Sequence, residues 1–525
     1  LKKAFYFMNA PLSPHWADVA ALKLIKTKGD KESYVLASGI TPSGLVHVGN
    51  FRETITVDLV ARALKALGKK VTFLYSWDNF DTFRKVPKNL PDPEAFKEHL
   101  GKPIARIPDP WGQAESYAKG RMDLFEKELV VMGIKPQFRY QESLYKSGLY
   151  GEHIRHILEN VDKIKNVLNQ YRTEPLAEGW LPTATYCGRC SKDDMKEDRY
   201  LGEWSYTYHC QSCDFQETVD LRTTQNMKLV WRVDWPMRWH HEGVDFEPGG
   251  KDHSSQGGSF DTAKDIIRAV WGEEPPSYLQ YDFVMIKGGA GKMSSSSGEL
   301  FTLSQVLEVY EPQVIRWIFS NQRPNHDFAL AFDEDVIKIY DEFDRAEKLA
   351  FTPGANPMAK RTYELSRVDD SQPLSTCPER AGFRVLCNRL QICHNHIDRT
   401  FERYYSHSDR TLFTERARRA VFWLTHYAPE EFCYGLQKEK QVISLEPKDK
   451  EALSLFRDLM KNLDLETIST KDLNETIWDR VINPSQIDSG VFFSLVYRHL
   501  IGRNQGPRLP GFLKEIGKEK ILELI

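Results

Sequence analysis

One contiguous stretch, Gly39-Ile40-Thr41-Pro42-Ser43-Gly44-Leu45-Val46-His47-Val48-Gly49-Asn50, constrains this chain more than any other. The apolar run Tyr34-Val35-Leu36-Ala37 before it has strand character. After it, residues 50–70 place Ile55, Leu59, Val60, Ala63, Leu64 and Leu67 at helical spacing, with Gly68 as a stop. A second apolar run, Val71-Thr72-Phe73-Leu74-Tyr75, follows at once. This is the pattern of a βαβ unit, whose parallel strands belong to an α/β fold. The turn inside it offers unpaired helix N–H groups and a favourable dipole end to an anion. Gly44 and Gly49 allow close backbone approach, and His47 adds a donor. Taken alone, such a motif is as readily an ordinary strand-to-helix loop with a surface histidine.

A second stretch changes that balance: Gly288-Gly289-Ala290-Gly291-Lys292-Met293-Ser294-Ser295-Ser296-Ser297-Gly298. A segment rich in glycine and serine with one lysine can bring hydroxyls, N–H groups and an ammonium over a polyphosphate, although it also suits a flexible linker. It follows the apolar run Tyr281-Asp282-Phe283-Val284-Met285-Ile286 and precedes a helix-like segment, so it sits at a strand end, where α/β sites form.

The two stretches resemble the paired signatures of class I aminoacyl-tRNA synthetases, His-Ile-Gly-His and Lys-Met-Ser-Lys-Ser. They stand here as His47-Val48-Gly49-Asn50 and Lys292-Met293-Ser294-Ser295-Ser296. Asn50 replaces the second histidine and keeps a polar donor. Ser295 replaces the second lysine, so phosphate charge falls to Lys292, Mg²⁺ or another basic group.

The rest of the chain fits that frame. At 525 residues it is too long for one core, and two to four domains are expected. A net charge of −3 gives no global basic field, so any nucleic-acid surface is a local patch. No apolar run approaches the roughly 18 residues of a membrane span, and no signal peptide is apparent, which points to the cytoplasm. Ser13-Pro14-His15-Trp16 reads as a helix cap. Residues 88–110 read as a proline-rich excursion, 112–132 and 150–171 as helices, and Gln137-Phe138-Arg139-Tyr140 as a third strand. Asp78 and Asp81 lie just past the second strand, where open parallel sheets place ligands.

Cys187-Gly188-Arg189-Cys190 and Cys210-Gln211-Ser212-Cys213 form two Cys-x-x-Cys hooks, the spacing of a closed, structural four-thiolate Zn²⁺ knuckle. The other four cysteines lack paired spacing. Leu229-Val230-Trp231-Arg232-Val233-Asp234-Trp235 alternates large residues and reads as a resumed strand. Gly249-Gly250-Lys251-Asp252-His253 then suggests ligand approach before a helix over 260–270. From 378 onward the chain is helix after helix. Arg384, Arg389, Arg399, Arg403, Arg410, Arg416, Arg418 and Arg419 are spread there among aromatics, an arrangement that is usually a solvated face but can also stack on unpaired bases.

Among the class I subgroups, the glutamyl and glutaminyl enzymes carry an arginine ten residues before the signature histidine. Here that position is Ala37, so the pocket has no reason to prefer a carboxylate side chain. The tyrosyl and tryptophanyl enzymes share Thr41-Pro42-Ser43-Gly44 but are generally shorter and lack the cysteine hooks together with the long helical tail. The whole chain, from His15-Trp16-Ala17-Asp18 through the helical region, resembles the class I lysyl-tRNA synthetases of the archaeal type.

That resemblance implies a doubly wound Rossmann-type catalytic domain over 1–290 with a zinc-binding insertion at 172–225. It further implies a signature-loop and stem-contact helical domain over 291–352 and an all-α anticodon-binding domain over 353–525. The catalytic residues implied are His47, Asn50 and Lys292. ATP contacts fall to Pro42, Gly44, His47, Gly49, Asn50, Gly250, Lys292, Met293, Ser294, Ser295 and Ser296. Lysine contacts fall to Gly39, Thr41, Asp78, Trp231, Asp234, Asp252, His253 and Tyr281. A buried ammonium needs carboxylates and aromatic faces; Asp78, Asp81, Asp234 and Asp252 with Trp231, Trp235 and Tyr281 supply them, and the sequence leaves the choice open. The implied partners are tRNA(Lys), L-lysine, ATP with Mg²⁺, and structural Zn²⁺ on the four hook cysteines, for a monomer. A small-molecule nucleotidyltransferase explains the first turn but not the zinc hooks and helical tail. A non-catalytic zinc-bearing RNA-binding protein explains those but not two phosphate loops.

Overall fold

The computed structural model describes residues 15–87, 90–288 and 301–525. The chain divides into two compact units. The first comprises 1–307, 312–330 and 349–374, and the second 308–311, 331–348 and 375–525.

The first unit is built on a five-stranded parallel sheet. After helix α1 (Trp16–Lys28), capped by the His15 ring, come β1 (Ser33–Ile40), α2 (Val48–Ala66) and β2 (Lys70–Trp77). The βαβ reading is therefore correct, with β1 and β2 paired in register over eight residues. Helix α3 (Tyr117–Val131) leads to β3 (Gln137–Tyr140). Residues 90–107 make a small apolar cluster of Leu90, Phe96, Ile104 and Ile107 around Phe83 and Tyr117. The helical pattern at 150–171 breaks at Asn160 into α4 (Gly151–Glu159) and α5 (Val161–Asn169).

Next comes an insertion closed at its base by an antiparallel pair, β4 (Thr183–Thr185) with β8 (Met227–Leu229). Between them lies a three-stranded antiparallel sheet of β5 (Met195–Gly202), β6 (Ser205–Cys210) and β7 (Gln216–Asp220). The sheet resumes later than the sequence suggests. The strand expected at 229–235 is instead the start of a helix, α6 (Trp231–Glu242). The alternation of large residues over seven positions does not make a strand, because Trp231, Trp235 and Trp239 recur every fourth residue along one helix face, the first two stacked with ring centroids 5.1 Å apart and the last two tilted at 4.8 Å. Strand β9 (Phe246–Gly250), α7 (Ser259–Trp271) and β10 (Ser277–Tyr281) complete a sheet of order β10-β9-β1-β2-β3. The run expected as one strand at 280–286 splits. β10 pairs with β9, while β11 (Val284–Ile286) pairs with β12 (Phe328–Leu330) in a separate parallel ribbon.

Helix α2 is buried on nearly every side, not only on the apolar face that its pattern marks. Several of its polar residues are paired internally. Asp58 pairs with Arg62 at 2.9 Å and with the fully buried Arg316 at 2.6 Å. Arg52, 2% exposed, donates to four carbonyls: Asp282 and Phe283 ahead of β11, and Arg323 and His326 ahead of β12. A planar fork with five donors can bridge two segments in this way, where an ammonium could not. Arg52 thereby fixes the ribbon to the helix that begins at His47.

The second unit is helical, with a core formed around Phe456, Phe492, Leu495 and Leu513. Several arginines that the sequence left open for base stacking are used internally. Arg416, 1% exposed, pairs with Glu311 at 2.7 Å and Asp344 at 2.8 Å, and Arg389 pairs with Glu515 at 2.6 Å while lying 4.9 Å from both Tyr404 and Tyr405. Among the described residues, no helix is long and apolar enough to cross a membrane.

Candidate active site

The chain leaves β1 toward β2 and β3 on one side and returns through β9 and β10 on the other, which makes the β1/β9 boundary the switch point of the sheet. Open parallel sheets bind ligands at the carboxyl ends of the strands beside such a point. A cleft of about 480 Å³ lies there, lined by the end of β1 and the following turn (Ser38 to Thr41, Ser43 to His47), by Asn50, Glu53 and Thr54 of α2, by Tyr75, Asp78 and Asp81, and by Trp231, His253 and Tyr281.

At the turn end, His47 is the N-cap of α2. Its Nδ1 accepts from the Gly49 N–H at 3.1 Å, and the Asn50 side-chain oxygen accepts from the His47 N–H at 3.1 Å, a reciprocal capping box. With Nδ1 an acceptor, the ring proton sits on Nε2, and the Asn50 amide keeps its NH₂ as a donor. The cap bonds of this turn thus join residues within three positions of one another. The Val48 N–H donates to the Phe301 carbonyl at 2.9 Å, and His47 forms a β-bridge with Thr302. Residues just beyond the lysine-serine stretch are therefore bonded to the first turn. Lys292, Met293, Ser294, Ser295 and Ser296 themselves lie outside the described residues.

The other end is assembled from distant elements. Glu53 is partly buried. Its Oε1 accepts from Ser38 Oγ at 3.0 Å and from the Gly39 N–H at 3.1 Å, and its Oε2 accepts from Tyr281 OH at 2.6 Å. Burial pushes its carboxyl above the ordinary glutamate range, against these three donors. Sequence reasoning missed Glu53, although its place three residues after Asn50 on α2 puts both on one helix face. Asp78 is bonded to Arg238 at 2.7 Å, and burial raises its pKa despite that partner. Burial also works against the charged form of Asp81, but Lys228, together with Thr41 Oγ1 donating at 2.6 Å, brings it below the usual range.

The structure sorts the expected residues plainly. Gly39, Thr41, Gly44, His47, Asn50, Asp78, Trp231, His253 and Tyr281 meet in the cleft, whereas Pro42, Gly49, Asp234, Gly250 and Asp252 are not in its lining. Asp234 is buried behind the wall, receiving Tyr145 OH and lying 3.3 Å from Arg238. Two glycines also have reasons other than ligand approach: a Cβ at Gly39 would lie 2.7 Å from the Ser76 carbonyl of β2, and one at Gly249 would strike the Tyr278 hydroxyl.

The four hook cysteines converge, all four sulfurs lying within 4.8 Å of one another. Cys187 and Cys213 sulfurs are 3.5 Å apart, and Cys190 and Cys210 are 3.6 Å apart. Four Zn–S bonds of about 2.3 Å in a tetrahedron put sulfurs about 3.8 Å apart, so the donor set fits. Both hooks use the same turn: the N–H of Ser191 and of Asp214 donates to the carbonyl of the first cysteine of its hook, with φ of 61° and 56° respectively.

A family model described as tRNA synthetases class I (K) matches residues 14–369. The chain belongs to the class I lysyl-tRNA synthetase family. Lysine–tRNA ligase of Borreliella burgdorferi is 42% identical over 96% of this chain and 98% of its own length. The ligases of Treponema pallidum and Thermococcus kodakarensis are each 41% identical, covering 98% and 97% of this chain and 98% of their own. In this class I lysyl family member, the expected α/β fold with its helical C-terminal region is present.

Proposed function

We propose that this protein is a lysine–tRNA ligase: it activates L-lysine with ATP to lysyl-adenylate and transfers it to the 3′-terminal ribose of tRNA(Lys). The names of its relatives support the activity. The observation that carries the choice of amino acid is Glu53, a partly buried carboxylate facing the cleft that has no cationic side-chain partner among the described residues, while Asp78 and Asp81 already have Arg238 and Lys228. An ammonium entering there gains a carboxylate, with Trp231 and Tyr281 beside it.

The reaction is an in-line attack of the lysine carboxylate on the α-phosphate of ATP. It needs positioning and charge stabilisation rather than a covalent enzyme intermediate. His47 and Asn50 donate to phosphate oxygens as the pentavalent state forms, Lys292 meets the leaving pyrophosphate, and the serines beside it add hydroxyls. Mg²⁺, when bound with ATP, neutralises phosphate charge. The Cys187, Cys190, Cys210 and Cys213 thiolates hold Zn²⁺ in a closed structural site. The helical unit reads the anticodon, and the protein acts as a cytoplasmic monomer. The deciding experiment offers each amino acid in turn and measures tRNA-dependent pyrophosphate release from ATP. Lysine alone should support it; release with tyrosine or tryptophan instead would replace this reading.

A further inference from the structure

A resident lysine stands beside the cleft proposed for a substrate lysine. Lys228 lies on β8, the strand that closes the cysteine-bearing insertion, and is 4% exposed. Its ammonium is bonded to Asp81 Oδ1, while Asp81 Oδ2 accepts from Thr41 Oγ1 at 2.6 Å. Thr41 and Asp81 line the cleft, and Lys228 is not in its lining.

The insertion grips this segment at further points. Tyr186, next to Cys187, donates to the Phe80 carbonyl at 2.7 Å, and its hydroxyl lies 2.9 Å from Thr82 Oγ1. Thr82 in turn donates to Asp193 at 2.8 Å. Residues 80–82 are thus held by the insertion while Asp81 turns its free oxygen to Thr41.

A hydroxyl has one proton to donate and two lone pairs to accept with. An ionised Asp81 has no proton of its own, so it takes that of Thr41, and Thr41 Oγ1 can then only accept from a group in the cleft. An acceptor suits an ammonium and not a carboxylate or phosphate. The Lys228 ammonium bonded to Asp81 favours its ionised form.

We infer that Lys228 is a specificity-determining residue that acts through Asp81 to fix Thr41 as a hydrogen-bond acceptor for an ammonium group of the amino-acid substrate. It touches no substrate and is a positioning residue. The inference rests on the amino-acid site proposed above.

The test compares Lys228→Met, Thr41→Val and the double variant by lysine and ATP KM in tRNA-dependent pyrophosphate release, and by calorimetry with L-lysine. Lys228→Met should raise the lysine KM by roughly 10-fold, the loss expected for one hydrogen bond to a charged group, with the ATP KM unchanged. In the Thr41→Val background the same substitution should change lysine affinity less than about 2-fold, because the acceptor it orients is already gone. Lys228→Arg should restore most of the affinity. Multiplying effects in the double variant, or an ATP KM that rises in step, would overturn the inference. If Lys228→Met does not fold, Lys228→Met/Asp81→Asn removes both charges together. Its amide can present either end to Thr41, so calorimetry should still show weaker lysine binding; wild-type affinity there would sink the idea. If the wild-type protein activates a different amino acid, the lysine assignment fails, while the same comparison on that amino acid's α-ammonium still decides the role of Lys228.

Discussion

The two ends of the cleft are made in opposite ways. At the turn end, Gly44, His47, Gly49 and Asn50 are neighbours in sequence, and the cap bonds that hold them are local: Gly49 to His47 and His47 to Asn50. At the far end, Ser38, Thr41, Glu53, Asp81, Tyr281 and Trp231 come from β1, α2, the β2 exit, β10 and α6, and their bonds span up to 228 positions. The first is a device a short chain segment can carry anywhere. The second exists only once the sheet has formed. Phosphate, the same in every ATP reaction, suits the portable device, and choice among amino acids suits the assembled one.

Five measurements would sharpen or break that contrast. The largest effect is expected at the turn end: His47→Ala should slow adenylate formation roughly 10²–10³-fold, the usual loss for one charge-stabilising donor, and leave the lysine KM near wild type. Near-normal exchange in this variant and in Lys292→Ala would remove the turn from catalysis. At the far end, Glu53→Gln should raise the lysine KM by roughly 10- to 100-fold while the ATP KM stays put, as for a lost hydrogen bond to a charged group. An equal rise in both KM values would mean the two ends do not divide the substrates.

Smaller still is Asn50→Ala as a stability change. Loss of the side-chain half of the capping box should cost about 1 kcal/mol in denaturant unfolding, separable from any loss of exchange rate. A cost near zero would mean the turn is not held locally. The smallest effect lies away from the cleft, at His153, whose Nε2 is 3.0 Å from His241 Nδ1 between α4 and α6. Burial and the neighbouring histidines lower its pKa from 6.5 to about 4. The unfolded chain then binds more protons than the folded one between those values, so stability rises with pH from about 4 to 6.5. His153→Gln should flatten that part of the urea-midpoint profile; an unchanged profile would assign the acid sensitivity elsewhere. The comparison also bears on the metal: replacing Cys210 with serine should release one zinc per chain, read by elemental analysis, and loosen the insertion before the sheet.

The legibility of each part follows its locality. The βαβ unit, the third strand and both cysteine hooks were readable because each is a short-range pattern with its own chemistry. The strand expected at 229–235 was not, since period 2 and period 4 coincide over so few residues and only the ring contacts of Trp231, Trp235 and Trp239 separate them. Nor could the sequence divide the carboxylates. Asp78, Asp81 and Asp234 look alike in a string of letters, and they differ because Arg238, Lys228 and Tyr145 arrive from elsewhere.

By itself the sequence determined the parallel α/β frame, the turn that caps α2 and the four-sulfur cluster. Helical spacing, glycine freedom and thiolate spacing are properties of a few consecutive residues, and no fold is needed to express them. The tertiary structure decided which acids pair with a cation, that Arg52 binds the β11/β12 ribbon to α2, and that Thr41 donates to Asp81. A charge acquires its role only from the partners and the water that remain around it after burial, and neither is recorded in the order of residues.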